Sequence, residues 1–151
     1  MEPRISFYDV PSGWFDLMQN IEGYLKKSGL SHELLYLIKF RASQINGCGY
    51  CLDMHHKDAI KIGVTPQRLY LLDAWKESPV YSQSEKAVLK LTDTLTKIHQ
   101  ASSEVIAAAY EEVAKHFTKV EIANIVLMIT QINSWNRIAI TFGTVPGSYK
   151  G

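Results

Sequence analysis

The chain predicts an all-α, single-domain protein of about seven helices. Three observations lead there: apolar residues recur at helical spacing, capping signals stand between those stretches, and no run alternates with period two as a strand would. At 151 residues the chain fits one domain spanning 1–151, able to bury roughly two-thirds of its unfolded surface without staples. No linker, repeat or charge block divides it.

Ser12 precedes apolar residues at Trp14, Leu17, Met18, Ile21, Tyr24 and Leu25, a helical stripe placed to end at Gly29. Ser31 opens a second helix with Leu34, Leu35, Ile38, Ala42 and Ile45 on one side, closed by Asn46-Gly47. A third helix starts at the cysteines and runs to Ile62, with Gly63 to end it. Thr65-Pro66 is an N-cap followed by proline at the first helical position, which sets a fourth helix over about Gln67 to Trp75. Ser82 and Glu85 form a capping box for a fifth, whose core face is Val88, Leu91, Leu95 and Ile98. Ser102 or Ser103 caps a sixth through Ile106, Ala109, Tyr110, Val113 and Phe117. Thr118 and Glu121 form a second box, opening the longest and most buried helix from Lys119 to Phe142, and the tail from Gly143 to Gly151 reads as irregular.

Composition narrows the function classes. Hydrophobic residues at 46% and charged residues at 21% are those of an ordinary globular protein, and a formal net charge of +1 makes no electrostatic case for nucleic acid or an anionic membrane. The start, Met1-Glu2-Pro3-Arg4-Ile5-Ser6, does not read as a secretory signal, and the most apolar run, Ile122 to Ile132, is too short and too polar to span a bilayer. The expected compartment is the cytoplasm. In a reducing cytosol a lone C-x-x-C is expected to cycle or bind metal rather than serve as a permanent staple.

That pair is the most informative feature of the chain. Gln44-Ile45-Asn46-Gly47-Cys48-Gly49-Tyr50-Cys51-Leu52-Asp53-Met54-His55 holds both cysteines, three apart, with a histidine four residues after the second. On a helix, positions i and i+4 share a face with Cβ atoms roughly 5–6 Å apart, so His55 comes within reach of the Cys51 sulfur as partner or proton acceptor. Cys48 and Cys51, at i and i+3, are spaced to close a small disulfide at a helix start. A helix N-terminus and an imidazole both lower a thiol pKa from its usual value near 8.5. Cys51 is the expected attacking sulfur because only it has His55 one turn behind, and Cys48 the expected resolving thiol.

The segment from Leu34 to Lys76, with its lead-in Arg41-Ala42-Ser43-Gln44-Ile45-Asn46-Gly47-Cys48, resembles the alkylhydroperoxidase AhpD and carboxymuconolactone decarboxylase superfamily, in its C-x-x-C-x-x-x-H redox branch. Ile132-Asn133-Ser134-Trp135-Asn136-Arg137 is similar to a late segment of the same family. The resemblance implies an AhpD-like helical domain and a thiol peroxidase reducing hydrogen peroxide or organic hydroperoxides. It also implies an external dithiol as electron donor, no cofactor, and a closed homo-oligomer, expected here as a homotrimer or homohexamer. Redox members of the family carry a glutamate twelve residues before the first cysteine, at the far end of a proton relay; Tyr36 stands there. A phenol at that place is expected to orient His55 by a hydrogen bond without supplying negative charge, with Glu33, one turn earlier, as the alternative source of that charge.

Other readings stand beside this one. Cys48, Cys51, His55 and His56 are four potential zinc ligands, but four tetrahedral ligands within nine residues of one helix are sterically awkward, so no metal is expected. Trp135, Asn136 and Arg137 are candidates for lining the thiol pocket. A non-catalytic redox sensor or interaction module is the alternative function, and lactone decarboxylation a third that rests on the superfamily alone.

Overall fold

The computed structural model describes residues 2–151. The helices are α1 (Trp14–Lys26), α2 (His32–Asn46), α3 (Gly49–Lys61), α4 (Pro66–Tyr70), α5 (Gln83–Thr96), α6 (Ser103–Ala114) and α7 (Lys119–Phe142), with 3-10 turns at Leu71–Ala74 and Ile98–Gln100. Among the described residues there is no strand.

The caps read from sequence mostly form. Ser31, Ser82, Ser102 and Thr118 accept from the N–H groups of Leu34, Glu85, Val105 and Glu121, and both capping boxes are complete. Several expectations need correction. Thr65 makes no side-chain cap bond, and the fourth helix ends at Tyr70 with a 3-10 turn over Leu71–Ala74 in place of α-helix to Trp75. α6 ends at Ala114, so Phe117 lies beyond it. α1 is entered from Gly13, at φ 79°, rather than capped by Ser12. α5 ends at Thr96, so Ile98 falls in the following 3-10 turn and is 54% exposed instead of forming core. Asp93 accepts the Lys97 N–H as the last α-helical bond, and the chain tightens beyond it.

α2 lies at the centre, packed against α7, α5 and α3. Its Leu34, Leu35, Ile38 and Ala42 meet Val88 and Leu91 of α5 and Ile125, Met128, Ile129 and Ile132 of α7 in one continuous core. The apolar residues of α7 recur every three to four positions, so this helix is buried along most of its length, as its composition predicts. α1 behaves differently. Only Leu25 of its stripe is fully buried, while Leu17 is 69% exposed and Tyr24 is open too. No helix is long and apolar enough to cross a membrane among the described residues.

Candidate functional site

The end of α2 sets up the site. Gly47, at φ 66°, takes the left-handed conformation that a side chain resists, and the Cys48 N–H donates back to the Ser43 carbonyl at 3.0 Å. The chain therefore reverses in two residues and enters α3 with Cys48 as its N-cap. The lead-in residues anchor this turn from below. Arg41 makes a two-pronged contact with Asp93 of α5 at 2.7 and 3.1 Å, and also reaches Asp73 at 3.0 Å. Asn46 donates to Asn133 and Asn136 of α7 at 3.0 and 2.9 Å, and Asn136 donates to the Ser43 hydroxyl at 2.9 Å.

Cys48 and Cys51 are joined as a disulfide with Cα atoms 5.3 Å apart, and each is 1% exposed. They pack against Ala139 of α7, with Tyr50 alongside. The Cys51 N–H donates to Cys48 Sγ at 3.3 Å, so the sulfur of Cys48 sits at the positive end of α3. Cys48 and Cys51 are occupied by each other. Among the described residues, no three His, Cys, Asp or Glu side chains converge as a metal site.

His55 lies one turn beyond Cys51 and is 5% exposed. Neither ring nitrogen has a hydrogen-bond partner, so the expected contact with the Cys51 sulfur is not made in the disulfide state. Burial, helped by the Lys39 ammonium, pushes its pKa down from 6.5 to about 3. The imidazole is neutral at physiological pH, with one lone pair and one N–H both uncommitted.

Tyr36 is beside His55, but not as a hydrogen-bond partner. The two rings meet edge to face with centroids 6.3 Å apart. The phenol stays protonated, its pKa raised by burial and then by Asp58 and Glu22. Glu33 does not stand in for the missing glutamate. It pairs with Arg68 of α4, Nε to Oε1 at 2.6 Å, and makes no hydrogen bond to the histidine. Two charged groups beside Tyr36 had no role in the expectations from sequence. Lys39 Nζ lies 5.3 Å above the Tyr36 ring and pairs with Glu22 Oε2 at 2.7 Å, while Glu22 Oε1 accepts from Trp135 Nε1 at 3.1 Å. A lysine three residues from Tyr36 and four from Ser43, on a helix apolar on both sides, was the available signal.

The remaining candidates fall elsewhere. His56 is exposed. Trp135 packs with Phe7 and Phe15, Asn136 belongs to the link between α2 and α7, and Arg137 bonds back to Asn133. The tail, expected to be merely irregular, lies along α3. Tyr149 donates to Asp58 Oδ1 at 2.8 Å, and Lys57 Nζ donates to the Tyr149 carbonyl at 2.9 Å.

Comparison with known proteins adds four findings. The sequence profile of the carboxymuconolactone decarboxylase family matches residues 11–94. The uncharacterized protein YdfG of Bacillus subtilis (strain 168) is 43% identical over 143 residues, covering 95% of this chain and 96% of that protein. ATU0492 of Agrobacterium tumefaciens, a protein of unknown function for which an AhpD role in antioxidant defence is proposed, superposes with a TM-score of 0.90 at 38% identity, covering 98% of this chain and all of that one. An uncharacterized peroxidase-related protein from Silicibacter sp. TM1040 shares the fold, with a TM-score of 0.77 at 19% identity over 93% of this chain and 74% of its own.

Proposed function

The chain belongs to the carboxymuconolactone decarboxylase family and has its AhpD-like fold, and from that premise we propose that it is a thiol-dependent peroxidase cycling through Cys48 and Cys51. The observation that carries this reading is the pairing of a disulfide at the start of α3 with a buried, neutral imidazole one turn on, whose two nitrogens have no partner. Leaving such a group unpaired costs on the order of 1–3 kcal/mol, and chemistry at the neighbouring sulfur is the return for that cost.

In the reduced protein the Cys51 sulfur attacks the distal oxygen of a peroxide ROOH. Its proton passes through the free lone pair of His55 to the departing oxygen, giving ROH and a Cys51 sulfenic acid. The Cys48 thiol then displaces water from that sulfenic acid and the disulfide forms. An external dithiol returns two electrons and two protons, becoming a disulfide itself. The two cysteines divide the work: His55 serves Cys51 on attack, and the helix N-terminus stabilises Cys48 as the thiolate that leaves during reduction.

Consumption of hydrogen peroxide and cumene hydroperoxide with dithiothreitol as donor is the test. Cys51→Ser should abolish turnover, and Cys48→Ser should react once and stop at a sulfenic acid trapped by dimedone. A Cys51→Ser protein that still turns over removes the assignment. Absence of turnover in the intact protein, together with reversible oxidation of the pair, favours the sensor reading instead. The open apolar face of α1, with Leu17 and Tyr24 uncovered, supports assembly into a homotrimer or homohexamer, and a monomer in light scattering at micromolar concentration rules that out.

A further inference from the structure

A disulfide that cycles must be reached, and this one is closed off. With 1% exposure on each cysteine, no outside thiol has a path to either sulfur as the chain stands. The chain beyond α7 is free of any helix. After α7 the backbone turns at Gly143, φ 69°, with the Thr144 N–H bonded to the carbonyl of Ala139, the residue packed on the disulfide. The chain then runs back along α3. Pro146 presses on Gly49, between the cysteines: a Cβ added at Gly49 would stand 3.0 Å from Pro146 Cγ. Tyr149 closes the far end through its bond to Asp58 and through Lys57 to its carbonyl.

This segment touches α3 beside the cysteines at Gly49 and one turn past His55 at Asp58. Cys51, His55 and Asp58 stand at i, i+4 and i+7, on one face of α3. The contact points at Gly49 and Asp58 are nine residues apart, about 13 Å along the axis. Pro146 and Tyr149 reach them across a turn in which the Ser148 N–H donates to the Val145 carbonyl and Gly147 takes φ 86°, so the length of the Tyr149 side chain makes up the span. We propose that residues 144–149 form a strap along α3 beside the disulfide, held at Gly49 between the cysteines and at Asp58, and that its release sets the rate at which outside thiols and disulfides exchange with the Cys48–Cys51 pair. The proposal rests on reading that pair as one that cycles.

The strap is built to open. It packs no residue of the main core, Pro146 is exposed, and its hold on α3 is two polar contacts and one proline face. Such a segment opens far more readily than the helices it lies on.

The test uses the full chain and dithiothreitol, without peroxide. Tyr149→Phe, which removes only the hydroxyl, should speed reduction of the disulfide about fivefold, and Pro146→Ala/Tyr149→Ala at least about twentyfold. Reoxidation by oxidised dithiothreitol should accelerate by the same factors, leaving the redox midpoint unchanged, because a gate acts on both directions alike. Unchanged rates in the double variant overturn the proposal. So does faster reduction with slower reoxidation, since the contacts would then be tuning the stability of the disulfide and not access to it. A protein that shows the rate effect yet consumes no peroxide loses the peroxidase reading and keeps the strap.

Discussion

Asn136 on α7 and His55 on α3 are buried to nearly the same degree, 0% and 5% exposed, yet their polar atoms are treated in opposite ways. Asn136 accepts from Asn46 at 2.9 Å and donates to Ser43 at 2.9 Å, and Ser43 in turn donates to the Lys39 carbonyl at 2.8 Å. Every step of that network is partnered, and it pins the last turn of α2 to α7 just where the chain must reverse into α3. His55 has no partner at all. A satisfied buried network specifies geometry, whereas an orphaned imidazole only costs stability unless something binds or reacts there. The same interior thus holds a scaffold that defines the position of the cysteines and one group kept open toward them.

His55→Leu breaks the comparison most sharply. With the imidazole gone, alkylation of Cys51 by iodoacetamide near pH 7, in a Cys48→Ser background, should slow about 100-fold or more, the usual range for losing a positioned base. Stability at pH 7 should hold or rise, because an unpaired buried polar group is replaced by an apolar one. A large loss of stability with reactivity retained would reverse the roles assigned to the two regions.

Asn136→Ala is the opposite experiment. It takes one of two partners from the Asn46 amide and from the Ser43 hydroxyl and leaves a small void in place of a fully buried side chain, so urea denaturation should show a loss of about 2 kcal/mol. A loss under about 1 kcal/mol means the network is not what holds α2 to α7.

Acid titration separates the two regions next. His55 binds a proton near 6.5 when unfolded and only near 3 when folded, so the unfolded chain takes up the extra proton first. Stability should therefore fall with pH from about 6.5 toward 3, by up to about 1.4 kcal/mol per unit from this residue. His55→Leu should remove that part of the slope; an identical slope in the variant shows that His55 is protonated in the folded protein.

Tyr36→Phe should have the smallest effect. The phenol makes no hydrogen bond to His55 and the edge contact survives in phenylalanine, so labelling of Cys51 should change less than about threefold. Loss of labelling would make the hydroxyl a member of the relay.

Much of this molecule was legible before folding. Helical periodicity, the two capping boxes, the Gly47 turn and the i, i+3, i+4 register of Cys48, Cys51 and His55 depend on residues within two turns of one another, and such local interactions keep their meaning in any tertiary context. Ser12 and Ile98 were misread for a related reason: the same local signals do not say on which residue a helix frays. What the sequence could not decide is which side chain meets which across helices. Glu33 and Lys39 stand on the same helix within two turns of Tyr36, yet Arg68 of α4 draws Glu33 outward and Glu22 of α1 holds Lys39 inward. The tail's course along α3 likewise depends on an aspartate ninety-one residues upstream of Tyr149. The sequence by itself determined the helices, the thiol pair and its histidine, because short-range geometry governs them; the burial of that histidine without a partner, the charge beside it and the course of the tail along α3 come from long-range packing, which only the tertiary structure decides.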